Sequence, residues 1–325
     1  MQFKDKKSLR IVFLGTPEFA VESLDRLCTE GFNVVGVITM PDKHGGRGNK
    51  IIESAVKQYA VAHNLPLLQP ENLKDESFIE ALKEWKADLQ IVIAFRMLPK
   101  VVWSMPPLGT FNLHASLLPK YRGAAPINRA VMNGEKQTGV TTFLLKHEID
   151  TVDILQQVAV PIELTDNVEM VHDKLMHLGS DLVIETVNAF LEGNVKTIPQ
   201  EEMLTAGEVP TPAPKIFKED CKINWNTPVM SVYNHIRGLA PYPASWAVFA
   251  DENGKESQFK VYETSLPQPA EDGDFPGKIK FSKHSMSICC ADGSLEIKSV
   301  QLAGKKRMSA DELLRGFRVD DKHCL

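Results

Sequence analysis

Short apolar runs alternate with amphipathic stretches over the first part of the chain. The apolar runs predict strands over residues 10–14, 33–39, 65–68, 87–94 and 109–114. The amphipathic stretches between them predict helices over residues 18–30, 53–63 and 76–85. The run at 87–94 is apolar at most positions, which is typical of a strand buried on both faces of a parallel sheet. The alternation therefore predicts a doubly wound, mostly parallel, Rossmann-like α/β sheet.

The pattern changes after residue 198. Before that point, the sequence predicts a helix at 125–132, strands at 138–145 and 154–162, and a long helix at 167–193. Residues 199–214 are rich in proline and polar residues without periodicity, as in a linker. The following segment predicts a helix at 228–239 and strands at 245–249, 259–264, 278–282, 285–290 and 295–302. We therefore expect a larger domain over 1–198, a linker over 199–214 and a small β-barrel over 215–325.

The composition is that of an ordinary globular protein, with 43% hydrophobic and 24% charged residues in a chain of 325. This length is sufficient for two separate cores. The polar N-terminus lacks the apolar stretch of a signal peptide, and no later run is long enough to span a membrane. We expect a cytoplasmic protein with no membrane partner. The formal charge of −5 argues against a protein that coats nucleic acid nonspecifically.

The cysteines and glycines exclude two common kinds of site. The five cysteines include no Cys-x-x-Cys pair and have no matching histidine spacing, so we expect free thiols and no metal site. Gly15 follows the first predicted strand, as in dinucleotide-binding folds. The further glycines of that motif are absent, which argues against NAD binding.

Candidate catalytic chemistry lies at Asn112, His114 and Asp150. Asn112 and His114 are two positions apart in the strand predicted at 109–114, so they share one face. They also lie at its carboxyl end, where open α/β sheets bind ligands. An amide, an imidazole and a carboxylate could together catalyse an acyl transfer. A satisfied core histidine beside a turn asparagine explains the same pair without any chemistry.

The surrounding residues resemble those of the 10-formyltetrahydrofolate-dependent formyltransferases. That family has an Asn-x-His strand followed by Ser-Leu-Leu-Pro and a later aspartate, here Asn112, His114, residues 116–119 and Asp150. Further similar blocks lie at 15–20, 41–48, 122–127 and 138–141, and the resemblance extends through the C-terminal third. The chain departs from the family at Val152, which replaces a usual glycine, and at Ala94–Pro99, where the family commonly has Ala-Tyr-Gly.

The resemblance implies transfer of a formyl group from 10-formyltetrahydrofolate to an amine, with an OB-like C-terminal domain that helps to hold tRNA. Within the family, the similarity implies that the acceptor is initiator methionyl-tRNA, used in translation initiation. Two alternatives remain open. One is a formyltransferase for a small amine such as a nucleotide sugar or glycinamide ribonucleotide. The other is a noncatalytic RNA-binding protein, which the presence of all three candidate catalytic residues disfavours.

The chemistry of formyl transfer suggests a role for each candidate. Asn112 and a protonated or hydrogen-bonding His114 can donate to the oxyanion, and Asp150 can orient the imidazole and assist proton removal. Asp153 competes for the role of Asp150. The amine attacks directly, so Ser116 need not be a nucleophile, and we expect a backbone role for it in a folate-binding turn.

Binding residues are predicted from the resemblance and from local chemistry. The predicted folate contacts are Phe95, Met97, Ser116, Leu117, Leu118 and Pro119. The predicted tRNA contacts are Lys43, Arg47 and Lys50 in a glycine-rich basic loop, and Lys305 and Lys306 near the C-terminus. A solvated surface loop is the alternative interpretation of residues 43–50. We expect a monomer.

Overall fold

A computed structural model of the chain describes residues 3–45, 50–146, 153–203, 209–319 and 322–325. The chain divides into two compact units. The first comprises Met1–Arg122, Gly139–Val160 and His172–Thr211, and the second comprises Gly123–Thr138, Pro161–Val171 and Pro212–Leu325. Within the described ranges, every helix is too short or too polar to cross a membrane.

The strands up to residue 199 are β1 (Arg10–Gly15), β2 (Asn33–Ile38), β3 (Lys43–Gly45), β4 (Lys50–Ile52), β5 (Leu67–Leu68), β6 (Leu89–Ile93), β7 (Thr110–His114), β8 (Arg122–Gly123), β9 (Gln137–Leu144), β10 (Asp153–Pro161) and β11 (Ile198–Pro199). The helices are α1 (Glu18–Thr29), α2 (Ala55–Ala62), α3 (Glu76–Glu84), α4 (Lys100–Trp103), α5 (Pro126–Met132) and α6 (Val168–Glu192), followed by a 3₁₀ helix at Gln200–Met203.

Eight of these strands form one sheet in the order β11-β10-β9-β7-β6-β1-β2-β5. The five strands from β7 to β5 run parallel, whereas β9 runs antiparallel to β7 and β11 antiparallel to β10. This confirms the mostly parallel α/β sheet, and its predicted strands and helices end within two residues of the observed ones. Every residue of β6 is buried, as the apolar run in the sequence predicted for this strand. The short β5 lies at the sheet edge, directly after Pro66, where proline is tolerated.

Gly15 serves packing at the end of β1. A Cβ atom there would lie 2.8 Å from the Cβ of Ala20 and 3.3 Å from the carbonyl oxygen of Ile93. The close approach of α1 to β1 and β6 therefore requires a glycine. This explains why a glycine follows the first strand although the remaining glycines of a dinucleotide motif are absent.

The second unit contains β12 (Pro212–Ala213), a 3₁₀ helix (Glu219–Cys221), α7 (Val229–Leu239), β13 (Ser245–Asp251), β14 (Glu256–Thr264), β15 (Gln268–Pro269), β16 (Ile279–Phe281), β17 (Met286–Cys289), β18 (Gly293–Leu302), β19 (Met308–Ser309), α8 (Ala310–Leu314) and β20 (Lys322–Cys324). Eight strands form an antiparallel sheet, six of them in the order β16-β17-β18-β14-β13-β20, while β15 and β19 each pair with β18. Its two ends meet where Lys278 pairs with His323 and the Cys324 amide donates to the Gly277 carbonyl at 2.8 Å. The sheet is thus a nearly closed barrel, as predicted.

Aromatic and aliphatic side chains fill this barrel. Phe249 stacks on Phe259 with ring centroids 3.8 Å apart, and Trp225 is almost fully buried beside them. Between the two sheets in sequence, residues 199–214 include β12, the end of β11 and the 3₁₀ helix at Gln200–Met203, so this stretch contains more structure than a linker implies. The domain boundaries named above stay predictions.

Candidate active site

The carboxyl end of β7 presents Asn112 and His114 on one face of the sheet. Phe111 and Leu113 are buried, whereas Asn112 and His114 retain partial exposure. The ring of Phe111 stacks on Phe190 of α6 with centroids 6.0 Å apart, so the buried face of β7 is covered by that helix. The period-two pattern therefore turns the amide and the imidazole away from α6 together, as predicted.

The imidazole of His114 is fixed through one of its two nitrogens. His114 Nε2 lies 2.9 Å from the carbonyl oxygen of Tyr121, and because a carbonyl only accepts, Nε2 carries the proton. Burial of the ring lowers the pKa of His114 below its usual value, and the nearby Arg122 charge adds to this, although the Tyr121 carbonyl opposes both. The neutral ring therefore directs its N–H at Tyr121, which leaves a lone pair on Nδ1.

The Asn112 side chain has its amide available. In the described part of the chain, it takes part in no hydrogen bond, while its backbone pairs with Val92 on β6 and Phe143 on β9. A carboxamide held between two paired strands is well placed to donate to a developing negative charge.

The turn at residues 116–119 is fixed by hydrogen bonds, and most of its side chains are buried. The buried Ser116 hydroxyl donates to the Lys120 carbonyl oxygen at 2.7 Å. Leu118 and Pro119 are buried, and Leu117 is partly exposed. Among the four predicted folate contacts in this turn, only Leu117 can present much side-chain surface, and the others can contribute backbone groups. The engaged hydroxyl of Ser116 agrees with the expectation that it is not a nucleophile.

One threonine and one glutamine from neighbouring strands contact this turn. Thr141 Oγ1 donates to the Ser116 carbonyl oxygen at 2.6 Å and accepts from the Leu118 amide at 3.2 Å. Gln157 Nε2 donates to the Leu118 carbonyl oxygen at 2.6 Å and to Thr141 Oγ1 at 2.9 Å. Neither residue was found from the sequence, because their proximity depends on the register of β7, β9 and β10.

Of the two candidate carboxylates, Asp150 and Asp153, the structure describes only Asp153. Asp150, like Val152, lies outside the described residues. Asp153 opens β10 and forms an ion pair with Lys146, so its charge already has a partner.

The segment after β6 contributes to a cleft in the first unit. Phe95 packs against the core, and Met97 is 94% exposed. Arg96, which the sequence interpretation did not single out, donates to the carbonyl oxygen of Glu71 at 2.7 Å and to that of Pro70. The cleft has a volume of about 410 Å³ and is lined by residues 71–74 and 96–99. The Met97 side chain is thus open to a ligand, whereas Phe95 packs against the core.

The two ends of the predicted basic loop pair as short strands, which we call the hairpin. Lys43 and Gly45 on β3 pair with Ile52 and Lys50 on β4, so Lys43 and Lys50 lie on the same face. Both lysines are exposed. Arg47 lies in the segment between the two strands, outside the described residues.

The hairpin is anchored at its base. Lys57 on α2 forms ion pairs with Asp42 and Glu53, and Gln69 Nε2 donates to Asp42 Oδ1 at 2.8 Å. These contacts lower the pKa of the Asp42 carboxyl, chiefly through the Lys57 hydrogen bond.

The second unit carries two basic groups on its surface. Lys305 and Lys306 are exposed in the turn between β18 and β19. A second group was not predicted: the ammonium groups of Lys218 and Lys222 each lie 5.8 Å from the ring centroid of Trp246. An outward-facing tryptophan on a barrel strand is the sequence signal that could have indicated it. Among the described residues, no three potential metal ligands are clustered.

Comparison with known proteins gives consistent matches along the chain. Residues 9–187 match the model of the formyl transferase family, and residues 215–318 match that of the formyl transferase C-terminal domain. The chain is 63% identical over 317 residues to a methionyl-tRNA formyltransferase from Bacteroides fragilis, with 97% of each chain covered. It is 60% identical to the enzyme of that name from Bacteroides thetaiotaomicron, covering 97% of this chain and 98% of the relative.

Solved structures share the fold at low identity. WlaRD, a sugar 3N-formyl transferase crystallised with dTDP and 5-N-formyl-THF, superposes with a TM-score of 0.63 at 18% identity, covering 92% of this chain and 99% of that one. HypX from Aquifex aeolicus in complex with tetrahydrofolic acid gives a TM-score of 0.61 at 19% identity, covering 94% of this chain and 47% of the HypX chain.

Proposed function

The chain belongs to the formyl transferase family, and from this premise we propose that it transfers the formyl group of 10-formyltetrahydrofolate to the α-amino group of methionine on initiator methionyl-tRNA. High identity over the full length of relatives with that name supports the acceptor. The observation that carries the chemistry is that the Asn112 amide and the His114 ring, with its proton on Nε2, lie on the same face of β7.

The reaction needs no nucleophilic side chain. The methionine amine attacks the formyl carbon, the new N–C bond forms, and the carbonyl oxygen becomes an oxyanion to which the Asn112 amide donates. His114 Nδ1 accepts the proton of the attacking amine and returns it to N10 of the folate as the old C–N bond breaks. This geometry supports a role for His114 in proton transfer, since its single N–H in the neutral ring is directed at Tyr121.

Asp150 is our proposed partner for the imidazole. A carboxylate close to the ring, but not bonded to Nδ1, would stabilise the protonated imidazole that forms during attack. Asp153 is less suited to this role because it is paired with Lys146.

The donor and acceptor are proposed to use different surfaces. The folate would contact the backbone of the 116–119 turn, Leu117 and Met97. The tRNA would contact Arg47, Lys43 and Lys50 on the hairpin, and Lys305 and Lys306 on the barrel, because phosphates are bound by clustered cations. We further propose that the protein acts as a monomer in the cytoplasm, where its tRNA acceptor is available.

A direct assay tests the function. Purified protein is incubated with formyl-labelled 10-formyltetrahydrofolate and, in separate reactions, initiator methionyl-tRNA, elongator methionyl-tRNA, an amino-sugar nucleotide and glycinamide ribonucleotide. We expect label on the initiator tRNA in large excess over the other acceptors. Preferential labelling of a small amine would replace the proposed acceptor, and no labelling of any acceptor would contradict the enzymatic function.

A further inference from the structure

We infer that Thr141 and Gln157 are positioning residues for His114, acting through the 116–121 segment whose Tyr121 carbonyl holds the imidazole. The inference rests on the proposed function, since it concerns the orientation of the group that moves the proton. It assigns a role in the reaction to two side chains from neighbouring strands whose described hydrogen bonds go to the 116–121 segment and to each other, and not to His114.

Thr141 is the cross-strand neighbour of His114 in the pairing of β9 with β7. Its side chain is fully buried, and its hydroxyl has three partners: the Ser116 carbonyl at 2.6 Å, the Leu118 amide at 3.2 Å and Gln157 Nε2 at 2.9 Å. A hydroxyl has one proton to donate and two lone pairs. Every hydrogen-bonding position of Thr141 is therefore used, and the two ends of the turn are tied to one atom.

Gln157 completes this arrangement from β10. Its Nε2 carries two protons, of which one goes to the Leu118 carbonyl at 2.6 Å and the other to Thr141 Oγ1. The carbonyl and the amide of Leu118 are thus both bonded to the Thr141–Gln157 pair. A glutamate at this position would offer only acceptors to two groups that require a donor.

The turn leads directly back to His114. The Ser116 hydroxyl donates to the Lys120 carbonyl, and the next carbonyl, that of Tyr121, accepts from His114 Nε2 at 2.9 Å. Tyr121 has a φ of +59°, a region that is unfavourable for a bulky residue and that persists only where surrounding contacts impose it. Its amide is also held, by the Thr211 carbonyl at 2.6 Å. The direction of the Tyr121 carbonyl therefore depends on how firmly the preceding turn is fixed.

Without the Thr141 hydroxyl, the 116–121 segment should no longer fix the tautomer and the orientation of the His114 ring. The N–H would no longer be confined to Nε2, and part of the enzyme would present a protonated Nδ1 that cannot accept a proton. Small displacements of a catalytic group can reduce turnover far more than binding. We therefore expect Thr141→Val to lower kcat by at least about tenfold, with KM for tRNA nearly unchanged.

A neighbouring residue provides the matched control. Thr142 is also fully buried on β9, and its hydroxyl bonds that of Thr186 at 2.9 Å, on the opposite face from the turn. Thr142→Val removes a buried hydroxyl from the same strand without contacting the 116–121 segment. If the effect of Thr141→Val were only a loss of stability, Thr142→Val would reproduce it.

The experiment combines kinetics with ¹⁵N NMR of histidine-labelled full-length protein, in which His114 is identified by the signal lost in His114→Gln. We expect the Nε2–H tautomer for His114 in the native protein, Thr142→Val and Thr141→Ser, and a mixture in Thr141→Val and Gln157→Glu. Native kcat should be retained in Thr141→Ser. An unchanged tautomer with unchanged kcat in folded Thr141→Val, or equal losses in Thr142→Val, would overturn the inference. The NMR result does not depend on the acceptor, so it stands apart from failure of the proposed function.

Discussion

The N–H of His114 points to the carbonyl of Tyr121, seven residues later in the same chain, at 2.9 Å. This single contact determines which nitrogen of the imidazole is left for chemistry. The sequence predicts a protonated or hydrogen-bonding His114 that donates to the oxyanion. A neutral ring with a lone pair on Nδ1 instead fits the role of a base, which is why we propose proton transfer for His114. The lowered pKa of His114 favours the base.

The first prediction concerns the two side chains at the end of β7. Asn112→Ala and His114→Ala should each reduce turnover by roughly 10²-fold or more, since one removes an oxyanion donor and the other the proton acceptor. Folate affinity should change little, because neither side chain is proposed to bind the pterin. Single-turnover rates and equilibrium folate binding measure the two effects separately, and near-native turnover in either variant would exclude its role.

The pH dependence follows from the direction of the His114 shift. Burial lowers the pKa of His114 below the ordinary value of about 6.5. The neutral, active form is therefore present at and above the ordinary pKa, and activity should be lost only as pH falls through the lower folded-state pKa. We expect the acidic limb of kcat/KM to lie below about pH 6.5. A limb at or above that value would mean that the group limiting the rate is not His114 in this environment.

Much of this site follows from sequence because it depends on local periodicity. The apolar run of β6 and the alternation of β7 were sufficient to predict the parallel sheet and the shared face of Asn112 and His114. The pairing of Thr141 with Gln157 could not be predicted in this way. It depends on three strands in register and on a turn that brings distant backbone groups to one hydroxyl.

The elements that were missed are short. The hairpin of β3 and β4 has three residues in each strand, and one of its strands ends in glycine, so it shows no alternation that distinguishes it from a loop. The four-residue helix α4 and the final strand β20 are equally short. β20 is stabilised by its position at the barrel closure, a tertiary contact that leaves no periodic pattern in the sequence.

The choice between two carboxylates gives the third prediction. Asp150→Asn should lower turnover and change its pH dependence, because it removes the charge that stabilises the protonated imidazole. Asp153→Asn should instead cost mainly the ion pair with Lys146, which is worth about 1 kcal/mol or less for a partly exposed pair. Parallel pH–rate profiles and thermal unfolding of the two variants compare these effects. The reverse outcome would move the catalytic role to Asp153.

Arg47 is expected to determine acceptor choice. If its guanidinium contacts a base at the acceptor end of the tRNA, Arg47→Ala should cost about 1–3 kcal/mol in discrimination between initiator and other tRNAs. Lys43→Ala, on strand β3, is the control for a purely electrostatic contact and should weaken the binding of both tRNA types equally. Formylation of the two tRNA types by each variant measures the ratio. An unchanged ratio in Arg47→Ala would mean that Arg47 only attracts tRNA electrostatically and does not discriminate between tRNA types.

The last prediction concerns the barrel, where Lys305 and Lys306 are exposed in one turn. Each lysine that contacts a phosphate releases about one counterion on binding, so the combined Lys305→Ala, Lys306→Ala variant should bind tRNA more weakly and with a salt slope smaller by about two units. Folate affinity should be unchanged, since the folate is proposed to bind the first unit. Lys283→Ala, in the exposed turn between β16 and β17, removes a charge from the same barrel and serves as the control. A similar change in slope for Lys283→Ala would indicate that the barrel attracts tRNA through its overall charge, and an unchanged slope in the double variant would remove Lys305 and Lys306 from the interface.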